Sequence, residues 1–437
     1  MLGAFVRAFR TPDLRNKLLF TLFILTLFRL GSVIPAPGID SAAIRDQMEQ
    51  ITAADQTGVY TLVNLFSGGA LLQLAVFALG VMPYITASII INLLTVVIPH
   101  LERLKKEGQS GQSKITQYTR YLTLMLAVLQ ATSIVAMART GALFQNAVDP
   151  SVYMPDQSIP TLVTIVFTMA TGTAIIMWFG ELITERGVGN GMSLLIFTQV
   201  IAMFPSSIMG LYQERSVWIF TIICLAGLAL ITAVVFMEQA QRRIPVQYAK
   251  RMVGRRMYGG SSTYIPLKVN QAGIIPVIFA SSLLYLPQLI VGLMGQESTH
   301  PVAVFFQTYF VTGTHPVYMA TFFVMIVGFA FFYVAITFNP SEVADNMKKY
   351  GGFIPGIRPG RPTAEYLDFV LTRLTTPGSL YLGVIALLPM VALGATGAEM
   401  NFPFGGTSVL IMVGVGLDTV KQIESHLQQR NYEGFLR

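Results

Sequence analysis

Seven Lys and Arg side chains and no Asp or Glu lie in one segment, QRRIPVQYAKRMVGRRMYGGSSTYIPLK (241–268). These cations are Arg242, Arg243, Lys250, Arg251, Arg255, Arg256 and Lys268. Apolar stretches long enough to cross a bilayer flank the segment on both sides. About two or three cations would suffice to hold such a loop in the cytoplasm. The excess of positive charge therefore predicts an anionic partner on that side of the membrane.

Three neutral polar residues, Asn92, Gln130 and Asn270, lie within or at the start of apolar stretches. An amide in lipid costs free energy unless it finds a hydrogen-bond partner, so we expect all three to face protein. Ordinary contacts between helices and a functional polar cluster both remain open for them at this point.

Groups that could catalyse a reaction or couple ion movement do not occur together at one depth of the predicted membrane helices. The histidines (His100, His300, His315, His426) are scattered, without the spacing of metal ligands. Ion-coupled transporters need ionisable groups near the membrane midplane. Here the charges of the apolar stretches lie almost entirely at their ends, as at Glu181, Glu185, Glu238, Asp418 and Lys421. We therefore predict a protein that is not an enzyme and needs no cofactor or metal.

The elements that position these residues are membrane helices. Hydrophobic residues make up 53% of the chain and charged residues 12%, against about 25% charged in soluble domains. A spanning helix needs about 20 mostly apolar residues. Ten stretches qualify, near 18–34, 76–98, 121–138, 160–183, 192–211, 217–237, 273–294, 317–338, 378–394 and 407–422. The fold class is therefore an all-α polytopic membrane protein.

The Lys and Arg residues predict the orientation of these spans. Four of them precede the first span, at Arg7, Arg10, Arg15 and Lys17. Arg29 lies inside that span, and only Arg45, Arg139 and Arg215 fall in the predicted outer loops. Because loops rich in Lys and Arg stay in the cytoplasm, both termini are expected there.

A short apolar segment, LVNLFSGGALLQL (62–74), precedes the second span and is broken by Gly68 and Gly69. It is too short to cross a bilayer. Irregular backbone at membrane depth requires protein or an aqueous cavity around it. The segment is therefore either a re-entrant plug or a short interfacial helix.

The chain resembles the SecY family of protein-conducting channels from end to end. The segments that carry the resemblance are FRLGSVIPAPGID (28–40), NLFSGGALLQLAVFALGVMPYITASIIINLL (64–94), KEGQSGQSKITQYTRY (106–121), GELITERGVGNG (180–191), QRRIPVQYAKRMVGRRMYGG (241–260), STYIPLKVNQAGIIPVIFASS (262–282), NPSEVADNMKKYGGFIPGIRPG (339–360) and FGGTSVLIMV (404–413).

The resemblance implies a clamshell of two pseudo-symmetric five-helix halves, here 1–212 and 213–437, around an hourglass pore. A ring of apolar side chains narrows such pores. The matching positions are Val81, Ile85, Met192, Ile196, Ile278 and Ile411. A plug is implied at about 60–74, centred on Asn64, Leu65, Phe66, Ser67, Gly68 and Gly69.

The resemblance also implies a lateral gate between spans two and three and spans seven and eight. Asn92, Gln130 and Asn270 match the polar cluster at that gate. Through the gate, signal peptides and the membrane segments of preproteins would leave for the lipid bilayer.

Two inner loops, 239–272 and 339–376, match the surface where the SecA motor ATPase and the ribosome dock in this family. The implied docking residues are Arg242, Arg243, Lys250, Arg251, Arg255, Arg256 and Arg358. SecE-type and SecG-type subunits and a bacterial cytoplasmic (inner) membrane are implied as well.

One alternative from another class stays open, a ten-helix secondary transporter of a small solute. The absence of midplane ionisable groups and the size of the basic loops argue against it. A membrane-embedded enzyme is disfavoured because no nucleophile, metal site or acid pair falls at matched depth.

Overall fold

The computed structural model of the chain describes residues 9, 11–40, 43–44, 70–71, 73–141, 150–214, 217–248, 251–253, 256–258, 262–294, 300–311, 315–396 and 406–433. Its architecture is a bundle of long helices with two small β-sheets, one of three strands and one of two. All structural statements below concern these residues.

The helices of the first half of the chain are α1 (Pro12–Gly31), α2 (Met82–Val97), α3 (Pro99–Lys106), α4 (Gln109–Arg139), α5 (Pro150–Tyr153), α6 (Ile159–Arg186) and α7 (Gly191–Glu214). Those of the second half are α8 (Val217–Gln239), α9 (Ile275–Met294), α10 (Pro301–Phe306), α11 (Pro316–Thr337), α12 (Pro340–Lys349), α13 (Arg361–Thr396) and α14 (Gly406–Glu433). A π-helical turn, Gln307–Val311, follows α10.

Each of the ten predicted spans coincides with one of these helices, but the count of ten membrane crossings is not confirmed. Among the described residues, five helices are long and apolar enough to cross a membrane, or six if the bent pair α2 and α3 is one span. The remaining predicted spans are interrupted by a proline, as at Pro205 in α7 and Pro287 in α9, or carry charges at an end.

The second span begins later than its hydropathy predicts. Helix α2 starts at Met82, whereas apolar residues begin near position 76. Gly80 has a φ of 56°, which closes a turn, and Pro83 lies in the first helical turn, where its missing N–H is tolerated. The preceding strip packs instead against the end of α1, through the β-bridge between Pro35 and Ala75.

Helix α3 turns away from α2 by 99°. It is amphipathic, with Leu101 and Leu104 buried and its cations exposed. Lys106 donates to Glu102 at 2.6 Å, and this hydrogen bond lowers the pKa of the Glu102 carboxyl below its ordinary value. A cationic helix of this kind suits the boundary between lipid and water.

The basic segment after α8 forms strands. Strand β1 (Gln241–Tyr248) pairs antiparallel with β4 (Ser262–Lys268), with Gln241 opposite Lys268 and Ile244 opposite Ile265. Between them, β2 (Arg251–Val253) pairs with β3 (Arg256–Tyr258). On the other edge of β1 lies β5 (Gly352–Phe353), which gives the order β4-β1-β5.

The sheet is anchored to the bundle by its own apolar cluster. Ile244 and Val246 point from β1 into a core shared with the end of α11 and with α12 and α13. Alternate residues of a strand face opposite sides, so this burial leaves Arg243, Pro245 and Gln247 on the exposed face. The described parts of the two large loops 239–272 and 339–376 therefore form one packed unit.

Candidate pore and docking surface

The six predicted pore-ring residues lie in one apolar cluster. They are Val81 and Ile85 at the start of α2, Met192 and Ile196 on α7, Ile278 on α9 and Ile411 on α14. Five of the side chains are buried, and Met192 is partly buried against them. Four helices from distant parts of the chain therefore meet at this cluster. The role of these residues as a pore ring stays a prediction.

Close backbone approach at two glycines positions α7 within the cluster. A Cβ on Gly191 would lie 1.9 Å from the carbonyl oxygen of Gly180, and a Cβ on Gly180 would lie 2.5 Å from the Met192 sulfur. The Gly191 N–H donates to Thr184 Oγ1 at 2.9 Å. Only glycine permits this spacing, so the start of α7 is held directly against α6.

The three predicted gate residues take different environments. Asn92 is partly buried on α2, whereas Gln130 on α4 and Asn270 before α9 are buried. Helices α2, α4 and α9 do pack against one another. The Asn270 Nδ2, however, donates to Glu238 Oε1 and to the Gly273 carbonyl. Whether the three amides act as one gate cluster stays a prediction.

Glu238 is a buried acidic residue that the span pattern does not reveal as buried. It lies at the end of α8, as expected, but its side chain is only 9% exposed. Asn270 Nδ2 donates to its Oε1 at 2.6 Å, which supplies the partner that a buried carboxylate needs. The sequence feature that indicates Glu238 is an isolated acidic residue next to a strongly basic loop. The sequence does not indicate its partner, which lies 32 residues further along the chain.

A second polar contact lies at the same end of the hairpin. Lys268 Nζ, at the end of β4, is 3.3 Å from Asp418 Oδ1 on α14. Both side chains are substantially exposed, so this ion pair contributes little stability. Together with the bond between Glu238 and Asn270, it links the base of the β1–β4 hairpin to helices α8, α9 and α14.

The predicted docking cations are spread along this hairpin. Arg242 and Arg243 are exposed on β1, and the Arg243 guanidinium lies over the Tyr264 ring at 4.9 Å from its centroid. Arg251 pairs with Tyr258, and Arg256 with Val253, in the backbone register of β2 and β3. Lys250 and Arg255 lie outside the described residues.

Arg358 is exposed in the turn between β5 and α13. Gly356 and Gly360 flank it with φ values of 85° and 104°, and its carbonyl accepts a hydrogen bond from Thr363 Oγ1 at 2.9 Å. Because β5 pairs with β1, this turn belongs to the same folded unit as Arg242 and Arg243. The predicted plug residues Asn64, Leu65, Phe66, Ser67, Gly68 and Gly69 lie outside the described residues.

The family model for SecY matches residues 75–420, which include the six predicted ring residues and the whole hairpin. The chain belongs to the SecY family. The protein translocase subunit SecY of Streptomyces scabiei is 63% identical to it over 441 residues, covering 100% of each chain.

Solved structures show the SecY-family fold independently of sequence. A protein-conducting channel superposes with a TM-score of 0.64 at 18% identity, over 94% of this chain and 91% of that one. Sec61 in a canine ribosome-channel complex from the endoplasmic reticulum gives a TM-score of 0.60 at 17% identity, over 94% and 91%. This multi-pass membrane fold is thus shared with chains of very different sequence.

Proposed function

We propose that this chain is the pore-forming subunit of a Sec-type protein-conducting channel in the bacterial cytoplasmic membrane. The observation that carries the proposal is the apolar cluster in which α2, α7, α9 and α14 bring Val81, Ile85, Met192, Ile196, Ile278 and Ile411 together. The SecY-family membership supports it. The solute-transporter alternative is not favoured, because it explains neither this membership nor the basic hairpin.

An apolar constriction suits a channel for polypeptides. Aliphatic side chains repel water, so a narrow ring of them excludes ions when empty. The same side chains adapt to polypeptide side chains of many shapes, because dispersion contacts need no directional partner. The two halves 1–212 and 213–437 would open around this ring, and the segment at about 60–74 would plug it. Asn92, Gln130 and Asn270 would border the lateral exit to lipid.

The channel itself has no proposed catalytic step, so the driving force comes from partners. The exposed cations Arg242, Arg243 and Arg358 would engage carboxylates of a SecA motor or phosphates of ribosomal RNA, with Lys250, Arg251, Arg255 and Arg256 extending the same surface. The structural likeness to Sec61 from a ribosome-channel complex supports the ribosomal arm. SecE-type and SecG-type subunits would complete the channel, with both termini of this chain in the cytoplasm.

Reconstitution tests the function directly. The chain, purified with its SecE-type and SecG-type subunits, is placed in liposomes with SecA, ATP and an unfolded preprotein carrying a signal peptide. We expect the preprotein to become protected from external protease, and to stay accessible when ATP is left out. Solute counterflow in the same vesicles, without preprotein protection, would instead establish the transporter alternative.

A further inference from the structure

One buried amide beside the apolar cluster has no hydrogen-bond partner among the residues that the structure describes. Gln199 on α7 is 1% exposed, and within that part of the chain neither its Nε2 nor its Oε1 is hydrogen bonded. Most buried polar side-chain atoms in native proteins find a partner, so an amide unsatisfied at both ends needs an explanation. An apolar side chain of the same length would fill this position without that cost.

The position of Gln199 relates it to the proposed pore. It lies three residues after Ile196 and seven after Met192, so all three share one face of α7. Leu195 one turn earlier and Val200 next to it belong to the same apolar cluster. At 1.5 Å per residue, Gln199 is roughly 4.5 Å beyond Ile196 along the helix, on the outer side in the proposed orientation.

The chemistry of the amide defines the ligand that would satisfy it. Its NH₂ group donates and its carbonyl accepts, and a peptide backbone offers an N–H and a C=O at every residue except proline. An extended polypeptide has no internal hydrogen bonds, so it presents these groups whatever its sequence. A sequence-independent partner is what a channel for many clients needs.

We propose that Gln199 is a hydrogen-bonding site for the backbone of the polypeptide that passes through the pore. The inference rests on the proposed function and adds to it one polar contact just beyond the apolar ring. Among the described residues, neither end of the amide has a hydrogen-bond partner. When a chain enters, both are satisfied, so Gln199 favours the occupied state over the empty one.

Cysteine crosslinking tests the contact. The native Cys224, the only cysteine in the chain, is first replaced by Ser. Gln199→Cys and Ile278→Cys are then introduced separately, and a preprotein stalled in reconstituted channels carries one cysteine at successive positions. We expect disulfides from both sites, with the Gln199→Cys maximum shifted along the preprotein by one or more residues. Crosslinking from Ile278→Cys but not from Gln199→Cys overturns the inference alone.

The absence of crosslinks from both sites, together with failed preprotein protection, overturns the proposed function and the inference with it. A third arm places the second cysteine within residues 64–69 of the same chain. If the disulfide between Gln199→Cys and this segment forms in the same yield while a preprotein is stalled in the channel, the segment, and not the preprotein, is the partner of Gln199. That result also overturns the inference.

Affinity provides a second readout that does not depend on an introduced cysteine. Gln199→Met keeps the length of the side chain but removes both polar ends. We expect the apparent Kd for the stalled preprotein to rise about fivefold and the Tm of the empty channel to rise. The matched control is Thr198→Val, because the Thr198 hydroxyl donates to the Leu194 carbonyl at 2.8 Å within α7 itself and lies on another face of the helix. An unchanged Kd for Gln199→Met, or an equal rise for Thr198→Val, contradicts the proposal.

Discussion

Asn270 Nδ2 donates to Glu238 Oε1 at 2.6 Å, and this buried hydrogen bond joins the last turn of α8 to the segment that leads into α9. The β1–β4 hairpin begins and ends between these two residues. The bond therefore connects the two ends of the hairpin to each other. Ile278, a member of the apolar cluster, lies in the first turn of α9, shortly after Asn270 in the chain.

Asn270→Leu should loosen this connection. Glu238 would remain buried without its side-chain donor, at a cost of about 1–3 kcal/mol, so the Tm in detergent should fall. We also expect export of proteins with defective signal sequences to increase, because the gate would open more readily. Glu238→Gln retains an acceptor for Asn270 and should stay close to wild type. Unchanged export of such proteins at normal expression would count against this role.

The ion pair between Arg120 and Glu181 ties α4 to α6. Its two hydrogen bonds measure 2.7 and 2.8 Å, but the Arg120 side chain is 46% exposed, so solvent screens much of the attraction. Arg120→Glu should lower stability by about 0.5–1 kcal/mol, and the charge swap with Glu181→Arg should restore most of it. Thermal unfolding of the single and double variants measures this coupling. A swap no better than the worse single variant would show that the pair is not coupled.

Gly191→Ala should destabilise the fold at the start of α7. The new methyl group would lie 1.9 Å from the Gly180 carbonyl oxygen, so α6 and α7 must separate, at about 1–3 kcal/mol. Gly328→Ala on α11 is the matched control, because a Cβ there meets nothing within 4 Å. The Tm of both variants in detergent decides the matter. Equal Tm values would mean that the close approach at Gly191 does not constrain the bundle.

Arg358→Glu should impair SecA-dependent export much more than ribosome binding. The turn presents Arg358 beside β5, and a reversed charge there would repel acidic surfaces of the motor. Arg361→Glu serves as the control, because Arg361 is an exposed neighbour that already pairs with Glu365 at 2.9 Å. Export assays and ribosome co-sedimentation separate the two activities. Equal loss of both, or loss of neither, would refute the assignment.

The residues of the candidate site followed from the family resemblance, and only the charge and hydropathy of its segments followed from local rules. The resemblance to the SecY family named six ring residues, and the structure places them in one cluster. The basic character of 241–268 was evident from charge alone, but its hairpin was not. Strand pairing depends on a register between β1 and β4 and on an edge contact with β5, roughly a hundred residues away.

The amides show where local rules fail. The sequence predicts that Asn270 faces protein, but it places its partner Glu238 only at the end of a span. Nothing in the sequence singles out Gln199. A single amide in an apolar helix can face solvent or another helix, and the sequence does not distinguish these positions. Whether a polar group is buried and hydrogen bonded depends on the residues close to it in space, and these need not be close to it in sequence.

The sequence alone determined that this is a membrane protein, which stretches form apolar helices, and to which family it is similar, and it predicts on which side of the membrane the cations lie. Those properties are sums over contiguous residues, since transfer of an apolar stretch into lipid depends on its own composition. Only the tertiary structure decided that Ile85, Ile196, Ile278 and Ile411 meet, that β5 completes the sheet of β1, and that Glu238 is the partner of Asn270. Those outcomes depend on how distant helices pack, and packing is settled by shape and close approach in three dimensions.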